Sequence, residues 1–110
     1  MLHRAPTILL YNEKAIAEIL SPREVRFLAM ELSIEPEGKT KKEEDPAQPD
    51  IFEKLIIMLH GQILAHIGDE AHSIKKGDTL SFKSHIPHYF EKPSKSAAAR
   101  CIIVQNPKSY

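Results

Sequence analysis

Between Gly61 and Pro93 the chain reads GQILAHIGDEAHSIKKGDTLSFKSHIPHYFEKP, and this stretch limits the fold more than any other. Short apolar runs alternate with Gly68-Asp69-Glu70, Lys76-Gly77-Asp78 and the Pro87 and Pro93 breaks, leaving no room for a helix of ordinary length. In QILAHI, Ile63, Ala65 and Ile67 fall on one side and Gln62, Leu64 and His66 on the other, the period of a strand. The runs AHSI, LSF and PHYF give three further short strands.

The rest of the chain agrees. Pro6 to Tyr11 is a first strand closed by Asn12, and Lys14 to Leu20 fits either a short helix or a strand before Ser21-Pro22 breaks it. From Val25 to Ile34, the residues Leu28, Met30, Leu32 and Ile34 share one face, and Phe27, Ala29, Glu31 and Ser33 share the other. Glu35 to Asp50, EPEGKTKKEEDPAQPD, holds no large apolar residue and reads as a solvated, mobile connection. Its length leaves two readings open, an ordinary loop or a lid over a barrel mouth. Ile51 to His60 is apolar enough for a strand covered on both faces, and Ala99 to Gln105 makes the last strand.

Bulk properties narrow the function. At 110 residues the chain is expected to form one domain, with the core barrel over about 25–107 and the polar loop over 35–50. Fifteen basic residues balance fifteen acidic ones, so no global positive field draws in nucleic acid or anionic lipid. The single Cys101 lies between apolar neighbours and reads as a buried, inert thiol. The run Ile8 to Tyr11 is too short for a signal peptide, and nothing approaches a membrane span, so a cytoplasmic location is expected.

The run LHGQILAHIGDEAHSIKKGDTLSFKSHIPHYFEKP, with a terminal apolar strand ending in Asn106-Pro107, resembles the second half of a cupin domain. From Val25 to Pro107 the chain is similar to small single-domain cupins, above all the sensor domain behind the helix-turn-helix of some bacterial regulators. That resemblance implies an all-β fold, the double-stranded β-helix or jelly-roll barrel, also called RmlC-like. It also says where metal-dependent relatives hold their ion. Counted back from Gly61, the family's Glu ligand falls on Lys54, while the neighbouring Glu53 points to the opposite face. The paired His positions fall on Gln48 and Asp50, or with a longer spacing on Ala47 and Pro49. Only His88 matches the second motif, and the Asn that often follows it is Lys92. An ammonium cannot coordinate, so no metal cofactor is expected at this position. A substitute set would have to draw on His60, His66 and His88, or on Asp50.

The main expectation is a metal-independent module that holds a small organic ligand in the barrel, with Lys54, Met58, His60, Phe82, His88 and Phe90 lining the cavity. Lys54 opposite His88 suggests an anionic ligand such as a carboxylate. The alternative is an isomerase, epimerase or dioxygenase with a non-standard metal site, or with His88 as base and Lys54 as electrostatic stabiliser. A third reading is an interaction protein that uses the barrel only as a scaffold. A homodimer is expected on all three views, with the stripe Leu28, Met30, Leu32 and Ile34 and the apolar Ile57 and Leu59 as candidates for its interface, although core is the favoured reading of the stripe.

Overall fold

The computed structural model describes residues 7–12, 14–47 and 52–107. Nine strands occur among them: β1 (Thr7–Asn12), β2 (Ala15–Ile19), β3 (Leu28–Ile34), β4 (Glu53–His60), β5 (Gln62–Ile67), β6 (Glu70–Lys75), β7 (Thr79–Lys83), β8 (His88–Glu91) and β9 (Ala99–Asn106). One sheet has the order β1-β2-β3-β9-β4-β7 and the other the order β6-β5-β8, with every pairing antiparallel. The segment Lys14 to Leu20, open to helix or strand by propensity, is a strand because β1 and β3 flank it and complete its hydrogen bonds.

Period-two alternation decides which face each strand buries. Leu28, Met30, Leu32 and Ile34 of β3 meet Ile56 and Met58 of β4, Ile63, Ala65 and Ile67 of β5, Phe90 of β8, and Cys101 and Ile103 of β9 in one core. The β3 stripe is therefore core, as its favoured reading has it, and is removed from the candidate dimer surface. β4 is not covered on both faces either. Lys54, Ile56 and Met58 are buried, while Leu55 and Leu59 stand exposed on the outer side. Cys101 is buried and its thiol pKa is pushed up to about 12, by burial first and the Glu31 carboxylate second, so it is inert as a nucleophile at neutral pH.

Gly61 carries the chain from the large sheet into the small one. Its φ is +77°, and a Cβ there would stand 3.0 Å from the Ala99 backbone, so the turn requires glycine twice over. Just before it, the pairing of β4 with β9 slips between Met58 and His60.

The polar connection is less free than its composition suggests. The Thr40 and Glu43 backbone N–H groups donate to the Phe90 and His88 carbonyls, His88 N–H donates back to Glu43, and Lys92 N–H donates to Gly38. Residues 38–43 thus run along β8 and cover the edge of the small sheet, and Asp45 N–H continues to the Ser84 carbonyl just past β7. Thr40 is buried, and its hydroxyl accepts from Phe90 N–H at 3.0 Å. The expectation of a mobile, solvated loop is corrected over this part. Unpaired β8 backbone groups supply the hydrogen bonds that hold a segment with no large apolar side chain.

Candidate ligand site inside the barrel

β4 and β8 belong to different sheets, and each points a polar residue into the shared interior. Lys54 is 4 % exposed and His88 is 1 % exposed, and Lys54 Nζ lies 2.9 Å from His88 Nε2. His88 Nδ1 lies 2.8 Å from the Ile86 carbonyl oxygen, a group that can only accept. The imidazole hydrogen is thereby assigned to Nδ1, and Nε2 accepts from the Lys54 ammonium. The structure brings together the two residues that the sequence singled out.

Aromatic rings wall this pair. Phe82 meets His88 edge-on with ring centroids 5.0 Å apart, and Phe90 lies 6.4 Å from Phe82 and 6.1 Å from His88. Lys54 is flanked by Phe82 as its cross-strand partner on one side and by Gln105 on the other, and Gln105 is buried as well. Met58 is buried on the same face of β4, two pleats from Lys54. Burial away from water lowers the His88 pKa from 6.5 to about 4, with the Lys54 charge as the second cause; the Ile86 hydrogen bond and Asp45 act in the opposite direction. The imidazole is neutral at pH 7.

Two polar groups of this region escaped the sequence reading. Asp45 reaches His88 electrostatically, and its N–H donates to the Ser84 carbonyl at 2.9 Å. Asp45 Oδ2 and Ser84 Oγ are buried without a hydrogen-bond partner among the described residues. Two of the three Lys54 N–H donors likewise have no partner among the described residues. Nothing in EEDPAQ marked Asp45 as inward, because it becomes so only when residues 38–43 dock on β8 and its N–H reaches Ser84.

The other histidines do not join the pair. His60 has the parity of Lys54, but the slip between Met58 and His60 sets two residues against one on β9 and turns His60 to an exposed position. His60 is thus removed from the cavity lining and from any substitute metal set. His66 lies on the outer face of β5, stacked on Tyr89 at 4.3 Å and bonded to Glu91 Oε1 at 2.6 Å. It faces away from His88. Gln48, Pro49 and Asp50 lie outside the described residues. Among the described residues no three His, Cys, Asp or Glu side chains come together in a way that would hold a metal ion. An imidazole whose Nε2 accepts from an ammonium is a poor fit to a divalent cation, so the donor set here does not match the family's metal centre.

Comparison with known proteins agrees with this fold. Residues 31–105 match the Cupin_2 cupin-domain model, and the chain belongs to that family; its two-sheet architecture is the cupin jelly roll. It is similar to the crystal structure of TT1209 from Thermus thermophilus, at 20 % identity and a TM-score of 0.77, over 92 % of this chain and 91 % of that one. It is also similar to the Cupin_2 domain of an XRE-family transcriptional regulator from Enterobacter cloacae, at 12 % identity and a TM-score of 0.76, over 88 % of this chain and 100 % of that domain. An iron(II) form of HppE aligns at 17 % identity and a TM-score of 0.75, over 91 % of this chain and 56 % of that one. At these identities the likeness is one of fold. No curated protein matches the sequence. No helix among the described residues is long and apolar enough to cross a membrane.

Proposed function

We propose that this cupin binds a small anionic organic molecule in the barrel, with a carboxylate on Lys54, and that it does so without a metal. The observation that carries this reading is the buried Lys54–His88 pair. A buried ammonium normally pairs with a carboxylate, yet among the described residues none lies within ion-pair distance of Lys54. Two ammonium hydrogens therefore remain to meet a ligand oxygen. The aromatic walls of Phe82, Phe90 and His88 suit the organic part of such a ligand. Asp45, near enough to His88 to act on it electrostatically, limits the ligand's polarity: a hydroxyl or amine donor would satisfy its buried Oδ2 and a second anion would be repelled.

Catalysis fits less well. With a pKa near 4, His88 is a weak base at pH 7, far from the value that favours proton abstraction there. The family includes metal-dependent enzymes, but the ammonium at the Glu position argues against that chemistry in this chain. Titration calorimetry with a panel of small carboxylates tests the proposal. Lys54→Ala is expected to abolish binding, and Lys54→Met, which keeps the packing of the stem, guards against a folding defect. Unchanged affinity in a folded variant would reject the reading, and so would stoichiometric iron, zinc, manganese or nickel in the purified protein.

The chain is also proposed to pair with a second copy through the outer face of the large sheet. Leu55 and Leu59 are exposed there, and cross-strand contacts join Leu55 to Val104 and Ile57 to Ile102. Sedimentation of a Leu55→Lys variant as a monomer, against a wild-type dimer, is the expected result.

A further inference from the structure

Lys92 ends the inward-facing series His88, Phe90, Lys92 and is only 1 % exposed. Burying a lysine this deeply is costly unless its charge is met. Its ammonium donates to Ser94 Oγ and to Ser96 Oγ, both at 3.0 Å, and the two hydroxyls lie 2.8 Å apart. No carboxylate among the described residues pairs with it, and the neighbouring Glu91 is engaged by His66. The charge is thus passed outward through two hydroxyl groups.

Those hydroxyls face space. Ser94 and Ser96 help to line a cavity of about 270 Å³, together with Gln62, Leu64, Ser73 and Pro93. Because Lys92 donates to both serine oxygens, neither hydroxyl hydrogen points back at the ammonium. One of the two hydrogens closes the Ser94–Ser96 bond, and the other is left to donate away from Lys92. The Gln62 side-chain amide, which donates to Ser73 Oγ, adds a second donor group to the lining. The loop is held in place from behind, since Glu37 N–H donates to the Ser94 carbonyl and Lys92 N–H donates to the Gly38 carbonyl.

We infer that this cavity is a second anion site, independent of the barrel pair, and that it takes an oxyanion of the phosphate or carboxylate class. The oxyanion accepts from the serine hydroxyls and the Gln62 amide, and the buried Lys92 supplies the charge behind them. Hydroxyls polarised by a desolvated cation are stronger donors than free serines, and a charge-assisted contact is worth roughly twice a neutral one.

Titrating the ¹⁵N-labelled full chain with inorganic phosphate, and separately with acetate, tests this by the amide shifts of Gln62 and Ser94 to Ser96. Saturable shifts with either ion are expected, with a Kd on the order of millimolar for so small a ligand. Lys92→Met should weaken binding by about tenfold or more, and Ser96→Ala, an exposed change that leaves the fold intact, by roughly threefold to tenfold. Lys54→Met should leave this affinity unchanged, which separates failure here from failure of the barrel proposal. Linear, non-saturating shifts with both ions, or equal affinity in a folded Ser96→Ala variant, would overturn the inference.

Discussion

Two lysines among the described residues are buried in this small barrel, and their surroundings differ in kind. Lys54 lies between the sheets, beside aromatic rings, with a neutral imidazole as its acceptor. Lys92 lies at the end of β8, with two hydroxyls as acceptors and a cavity beyond them. The same side chain is thus locked inward at one place and relayed outward at the other. Burial alone does not make a site. What matters is which acceptor takes the charge, and whether that acceptor can pass it to something else.

The difference predicts unequal costs when an acceptor is removed. His88→Leu takes the acceptor from Lys54 and leaves a buried ammonium without a partner, an expected loss of about 3 kcal/mol. Ser94→Ala or Ser96→Ala leaves Lys92 the other hydroxyl and is expected to cost less than about 1 kcal/mol. Urea unfolding at pH 7 measures both. Equal losses would erase the distinction between the two lysines.

Acid sharpens it next. The unfolded chain protonates His88 near 6.5 and the folded chain only near 4, so as pH falls the unfolded state takes up its proton first. Stability contributed by this group is full above pH 6.5 and is lost between 6.5 and 4, by roughly 3 kcal/mol at the bottom of that window. His88→Gln should flatten this limb in unfolding curves recorded across the range, whereas Lys92→Met should leave it in place.

Much of this was legible in the sequence, and the part that was not has a definite cause. The family motif counted back from Gly61 pointed to Lys54 and His88, and the structure buries both on the inner faces of β4 and β8, where period-two alternation is unbroken. The same rule failed for His60, where one extra residue reverses the side on which a side chain falls. Asp45 and Thr40 were hidden because their polar segment gains its place from the free edge of β8 and not from any pattern of its own. Lys92 was noticed only as the residue standing where Asn often does in the family. Its two serine partners lie in KPSKSA, a run that reads as an ordinary loop.

A smaller effect separates the two lysines by their influence on one reporter. Lys54 is the second largest cause of the low His88 pKa, behind burial. Lys54→Met should therefore raise that pKa, yet leave it below 6.5, because desolvation persists. Lys92→Met should not move it. Imidazole carbon shifts followed by NMR against pH give the values directly. A return of His88 to 6.5 in Lys54→Met would mean that the charge, and not burial, governs the site.

The smallest expected change concerns the segment that closes the small sheet. Asp45 is the last of the four influences on His88 and the weaker of the two that raise its pKa. Asp45→Asn removes that carboxylate charge, so the imidazole should titrate below 4, by a smaller step than Lys54→Met raises it. The sign is the useful part. An Asp45 held by its N–H bond to Ser84, just past the end of β7, acts on His88 continuously, whereas one swinging free into solvent would be screened and its loss would change nothing. A downward shift therefore reports that residues 38–45 cover the barrel in solution. No shift would return this stretch to the solvated connection that its composition suggests.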